Sequence, residues 1–156
     1  MRFCVVAVGQ RMPAWVDMAW TEYSRRFPRS LCLDLREVPA VRRGRNPDIE
    51  SIRRDEGQAL LAAAPASACL VALEEKGRQW STGDLAAKMR EWMQLGRDVA
   101  FLVGGPDGLS KPCLDQSDHH WSLGSLTFPH ALVRVVLAEQ IYRAWTITQN
   151  HPYHRD

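Results

Sequence analysis

Val99-Ala-Phe-Leu-Val-Gly-Gly-Pro-Asp-Gly108 is the stretch on which the reading of this 156-residue chain turns. Five apolar residues between Asp98 and a glycine pair are too few for a helix and show no polar alternation, so they predict a strand buried on both faces. Gly104, Gly105 and Gly108, with Pro106 among them, then give a loop whose backbone can pass close to a bound molecule. In an open α/β sheet the loop at a strand's carboxyl end is where ligands lie. The same residues also suit a tight turn with no ligand, and by themselves they leave both readings open.

Upstream, Phe3 to Val8 is an apolar, β-branched-rich strand ended by Gly9. From Pro13 onward Val16, Ala19, Trp20, Tyr23 and Phe27 recur at helical spacing until Pro28 closes the helix. Leu31, Leu33, Leu35 and Val38 follow as a half-exposed strand near a sheet edge. After the polar loop Arg42-Arg43-Gly44-Arg45, Asn46 and Pro47 fit as N-cap and first residue of a second helix that runs to about Ala64. Cys69 to Leu73 is a third strand, and Glu74-Glu75-Lys76-Gly77 turns the chain. Ser81 or Thr82 caps a third helix with a stripe of Leu85, Met89, Trp92 and Met93, ending at Gly96. Downstream of the opening stretch come a short helix after Pro112, a fifth strand at Trp121-Ser122-Leu123, and a last helix from His130 to Thr148.

Apolar residues surround that last helix, with Leu132, Val136 and Tyr142 on one side and Val133, Leu137 and Trp145 on another. A sheet covers only one side, which implies a second subunit on the other, most simply in a two-fold homodimer. The alternation of strands and helices predicts one α/β domain over residues 1–156, built on a mostly parallel sheet flanked by helices. The composition, 46% hydrophobic, is enough for a real core. Four scattered cysteines without a C-x-x-C pair read as buried thiols of a reducing cytosol, and no apolar run is long enough for a signal peptide or a membrane span. The expectation is therefore a cytoplasmic protein with no membrane association. A net charge of +2 proves no polyanionic partner, yet arginines cluster at Arg25, Arg26 and Arg29 and again at Arg42, Arg43 and Arg45.

Neither a G-x-G-x-x-G nor a G-x-x-x-x-G-K-[ST] fingerprint occurs, which argues against standard dinucleotide and P-loop sites. Three loops at expected strand ends remain: Leu73-Glu74, Gly104-Gly105-Pro106 and Gly124 to Pro129. Brought together, their main-chain groups can bind an adenine edge while Leu73, Leu126 and Phe128 meet its faces. Glu139 and Arg143 stand four apart on the last helix, which suits a structural salt bridge and an active-site pair equally. The tail from Asn150 to Asp156 holds His151, Tyr153, His154 and Arg155, residue types that stack on a base and hold a phosphate, though chain ends are often merely frayed. Arg42, Arg43 and Arg45 can reach an RNA backbone or simply face solvent. His119, His120 and the tail histidines lack metal-ligand spacing, so no metal is expected.

Leu-Val-Gly-Gly-Pro-Asp-Gly at 102–108, Leu-Thr-Phe-Pro-His at 126–130, Tyr-Arg-Ala-Trp at 142–145 and the terminal Asn-His-Pro-Tyr-His-Arg together resemble the RlmH family of SPOUT-class methyltransferases, end to end. The resemblance implies a homodimer with a deep trefoil knot in the carboxyl half of each chain. It implies S-adenosylmethionine as cofactor and methylation of N3 of a pseudouridine in 23S rRNA, on the assembled 70S ribosome. It also implies cofactor contacts at Leu73, Gly105, Gly124, Ser125, Leu126, Thr127, Phe128 and Pro129. Catalytic roles fall on Glu139, Arg143 and His154, and RNA contacts on Tyr153 and Arg155 beside the arginine loop. Glu74 stands where many relatives have aspartate, and Gly124 where serine is common. Methyl transfer from a sulfonium asks for in-line positioning and loss of the N3 proton, with His154 or Glu139 as the base and no metal. The rival readings are a ribosome-binding protein without catalysis and a methyltransferase of the same fold acting on another nucleotide.

Overall fold

Side chains along β1 (Arg2–Val8) alternate between two cores, and this alternation sets the layers of the molecule. Phe3, Val5 and Ala7 join one cluster with Trp20, Leu85, Met89, Trp92, Leu137 and Ile141, so α1 (Ala14–Ser24), α3 (Thr82–Leu95) and α5 (His130–Thr148) cover that face. Cys4, Val6 and Val8 join the other with Leu60 and Cys113, from α2 (Ile49–Ala63) and α4 (Lys111–Gln116). The computed structural model describes residues 1–155; Asp156, the last residue of the tail, lies outside the described residues. The remaining strands are β2 (Cys32–Val38), β3 (Cys69–Gln79), β4 (Val99–Val103) and β5 (His119–Ser122), and a 3-10 turn (Pro152–His154) follows α5.

All strand pairs are parallel, in the order β2-β1-β4-β3-β5. The α/β class and the mostly parallel sheet are as the alternation predicts. β4 lies at the centre with all five residues buried, and β2 is an edge strand. Ser81 caps α3 in a reciprocal pair with Asp84, and Gly96 ends that helix in the left-handed conformation. Among the described residues no helix is long and apolar enough to cross a membrane.

Several local expectations are corrected. The N-cap of α2 is Asp48, whose carboxylate accepts from the Ser51 N–H at 3.2 Å, so Asn46 and Pro47 stay in the preceding loop. Glu74 to Gly77 is a bulge inside β3: Leu73 and Arg78 both pair with Trp121, and the strand resumes to Gln79. Gly77 permits this because a Cβ there would lie 2.8 Å from the His120 carbonyl carbon and the Trp121 nitrogen. β5 starts two residues earlier than expected and leaves Leu123 outside. Phe27 lies beyond the end of α1, yet its ring still packs on Tyr142 and Trp145. Cys4, Cys69 and Cys113 are buried, with burial raising each thiol's pKa, whereas Cys32 is exposed on the edge strand. Finally, α1 and α3 pack beside α5 in the same layer, so the chain itself covers more of that helix than a sheet alone would. Leu132, Val133, Val135 and Val136 remain partly exposed.

Candidate active site

The bulge of β3 and the carboxyl ends of β4 and β5 open into one cleft of about 730 Å³. Its walls are Leu73 to Lys76 from the β3 bulge, Gly104 to Leu109 after β4, Gly124 and Leu126 to Phe128 after β5, and His130 and Val133 on the first turn of α5. Of the positions that the family resemblance assigns to the cofactor, Leu73, Gly105, Gly124, Leu126, Thr127 and Phe128 line the cleft together; Ser125 and Pro129 belong to the same loop but are not among its lining residues. Leu126 is 73% exposed, an apolar side chain at the mouth of a cleft with little protein to cover it.

Gly104, Gly105 and Gly124 each have their own reason. A Cβ on Gly104 would lie 2.8 Å from the backbone of Gly108, because the Gly108 N–H donates to the Gly105 carbonyl at 3.0 Å and folds the loop onto itself. A Cβ on Gly105 would meet Glu56 Oε1 at 3.1 Å and Val8 at 3.3 Å, behind the loop. The tight turn and the cleft wall are thus the same object. Gly124 has φ +128° with open space beside it, a conformation that side chains rarely adopt.

The carboxyl half of α5 carries a second cluster. Arg143 pairs with Glu139 Oε1 at 2.8 Å, the Tyr153 hydroxyl donates to the same oxygen at 3.1 Å, and Gln140 donates to Oε2 at 2.7 Å. Tyr153 packs edge-on against Tyr142 at 4.8 Å, with the Arg143 and Arg26 guanidiniums 5.0 and 5.9 Å from its ring. Burial, then the Tyr23 hydroxyl and the Glu139 carboxylate, push the Tyr153 phenol up to about 12. His154 beside it has a buried Nδ1 without a hydrogen-bond partner among the described residues, while Arg155 is exposed. The tail is therefore docked on α5 rather than frayed. Glu139 lies six residues beyond Val133, about 9 Å further along the helix axis, so in one chain this cluster stands apart from the cleft.

Arg42 and Arg45 are exposed, but Arg43 is turned inward: its Nε donates to Asp107 at 3.0 Å and its Nη2 lies 3.7 Å from the buried Glu56. Sequence reasoning missed Glu56, and it missed Arg134. The latter is 0% exposed, paired with Glu37 and donating to the Val8 and Gly9 carbonyls at 3.0 and 2.8 Å, which fixes the start of α5 against the ends of β1 and β2. An arginine inside the run Leu132 to Leu137 was the available signal, because a buried charge needs partners. Among the described residues no group of three His, Cys, Asp or Glu side chains is placed to hold a metal ion.

A family model described as "Predicted SPOUT methyltransferase" matches residues 1–154. The chain is 53% identical to ribosomal RNA large subunit methyltransferase H of Thioalkalivibrio sulfidiphilus over 156 residues, all of both chains. It is 52% identical to the protein of the same name from Methylococcus capsulatus, over 99% of this chain and all of that one. A solved structure of "a probable methylase family protein" from Haemophilus influenzae Rd KW20 superposes with a TM-score of 0.56, covering 97% of this chain and 69% of that one; at 11% identity it supports the fold alone. With the α/β sheet, the three-loop cleft and full-length matches of this kind, the chain belongs to the SPOUT methyltransferases, in the family of ribosomal RNA large subunit methyltransferase H.

Proposed function

We propose that this protein is an S-adenosylmethionine-dependent methyltransferase that methylates N3 of a pseudouridine in 23S rRNA within assembled ribosomes, in the cytoplasm, with residues 1–156 working as one domain. The observation that carries the reading is the convergence of the β3 bulge at Leu73-Glu74 with two strand-end loops, Gly104 to Gly108 and Gly124 to Phe128, in one cleft. The residues present fit an adenosyl ligand. The glycine loop and 124–128 bring main chain to the cleft wall where an adenine edge would lie, and Leu73, Leu126 and Phe128 supply apolar surface for its faces. Bound there, S-adenosylmethionine supplies an electrophilic methyl group on a sulfonium.

The chain's own groups serve the acceptor. Arg143 and Arg155 hold phosphate or uracil oxygens and Tyr153 stacks on a base, with Arg42 and Arg45 on the RNA backbone. Both oxygens of Glu139 are already occupied by donors, which suits Glu139 to fixing Arg143 and Tyr153 and favours His154 as the group that takes the N3 proton. The separation along α5 favours a two-fold homodimer, in which a second copy's tail approaches the cleft. Partly exposed Leu132, Val133, Val135 and Val136 on α5, with exposed Trp15 and Met18 on the adjoining α1, supply the apolar surface for such a copy. A trefoil knot in the carboxyl half is part of the same reading, as the family resemblance implies.

Calorimetry with S-adenosylmethionine, followed by tritiated methyl incorporation into 70S particles lacking the modification and mapping of the labelled base, tests this. Expected are cofactor binding, one labelled pseudouridine, and at least tenfold slower transfer for Glu139→Ala, Arg143→Ala and His154→Ala. A folded protein that binds no cofactor would be an RNA-binding protein only. Label on another nucleotide would keep the chemistry and overturn the substrate, and near-normal rates in all three variants would overturn the residue assignment.

A further inference from the structure

Resting on the cofactor cleft just proposed, we infer that Arg43 is a positioning residue for the methyl-donor loop, set apart in role from Arg42 and Arg45 beside it. Arg43 follows β2 and Asp107 follows β4, two strands separated in the sheet by β1, so the contact bridges two loops across the end of the central strands. Its Nε and Nη2 both approach Asp107 Oδ2, while its Nη1 donates to the Val41 carbonyl at 3.4 Å. Asp107 is held a second time, from α2, by Arg53 Nε donating to its carbonyl at 2.7 Å.

Behind both stands Glu56, 2% exposed, whose Oε2 accepts from the Val41 N–H at 3.0 Å. Its Oε1 makes no hydrogen bond among the described residues; it lies 3.7 Å from Arg43 Nη2 and occupies the space that a Cβ on Gly105 would approach to 3.1 Å. Among the described residues Arg43 is the one cation paired with both carboxylates. A buried carboxylate oxygen without a hydrogen bond is costly unless a charge stands near it. Asp107 sits inside the turn closed by the Gly108 N–H and the Gly105 carbonyl, and Gly104 to Gly108 all line the cleft. Removing the Arg43 guanidinium therefore leaves Asp107 held only through its carbonyl by Arg53 and strips Glu56 of its paired cation, loosening the loop around Gly105. Arg42 and Arg45 are exposed, and among the described residues neither makes such a contact.

The test measures S-adenosylmethionine affinity by calorimetry without RNA, and then separate KM values for donor and for 70S particles. Arg43→Ala and Asp107→Ala should each weaken donor binding about tenfold and raise the donor KM to match, with kcat and the ribosome KM within about twofold of wild type. Arg43→Lys keeps the charge without the two-pronged contact, and Asp107→Asn keeps an acceptor; each should restore part of the loss. The Arg42→Ala/Arg45→Ala variant should do the reverse, raising the ribosome KM with donor affinity unchanged. If Arg43→Ala does not fold, the lysine and asparagine variants carry the test. Wild-type donor affinity in the Arg43 variants together with a raised ribosome KM would make Arg43 an RNA contact and overturn the inference. Absence of donor binding by the wild-type protein would instead overturn the function on which it rests.

Discussion

Replacing Arg134 by methionine keeps the aliphatic stem and removes a guanidinium that is 0% exposed. The loss comprises the Glu37 pair and two charge-assisted hydrogen bonds to the Val8 and Gly9 carbonyls, and bonds of that kind are worth about 1.5–3 kcal/mol each. Two effects oppose it. The guanidinium no longer has to be desolvated, including an Nε that has no partner among the described residues, and Glu37, 30% exposed, can rehydrate. Removing one member of a buried pair costs about 3–5 kcal/mol, and the accessibility of Glu37 puts this case near the lower end. At a urea dependence of about 2 kcal/mol per molar, a loss of about 3 kcal/mol lowers the unfolding midpoint by roughly 1.5 M. Tryptophan fluorescence in urea at fixed protein concentration and neutral pH measures it. Adding Glu37→Gln to Arg134→Met should cost clearly less than the two single changes combined, because they share a bond. A midpoint shift under about 0.5 M would refute the reasoning, showing that the strand ends and α5 hold their places without the buried cation.

Gly77→Ala places a methyl group 2.8 Å from the His120–Trp121 backbone, so it should lose about 1–3 kcal/mol in the same urea assay and weaken donor binding by moving Glu74 to Lys76. Ser81→Ala removes one half of the α3 capping box and should cost about 1 kcal/mol, with activity unchanged at 25 °C. The Tyr153 phenol, pushed up to about 12, holds its proton more tightly folded than unfolded; the stability this gives is complete below pH of about 10 and is lost as pH rises towards 12. Wild type should therefore lose more stability than Tyr153→Phe between pH 8 and pH 11, and parallel pH profiles would count against the docked tail.

The strand at Val99 and the helix from His130 to Thr148 were legible because an apolar run and its punctuation are local facts, and the cleft loops after β4 and β5 were legible as loops for the same reason. That they meet in one cleft depends on the β4-β3-β5 order, which no window of sequence contains. Glu74 to Gly77 has the composition of a turn, and only the backbone of His120 and Trp121 across the sheet makes it a bulge. Arg43 looked like its neighbours in the arginine loop because Asp107 lies far along the chain. Arg134 was obscured in the same way, its partners all belonging to the opening β1 and β2 region. Pattern thus reports burial well and partnership poorly.

The place of β1 in the sheet also constrains how the chain is born. β1 is apolar along nearly its whole length, and one of its two neighbours, β2, follows within a few dozen residues, but Phe3 must wait for Val99 on the other side. At about 5–20 residues per second of synthesis, that edge stays unpaired for roughly 5–20 s. Through that interval the nascent chain presents a bare, aggregation-prone strand edge. Until β4 arrives, that edge is open to pairing with other chains, so the sheet is at its most vulnerable while its central strand is still being made.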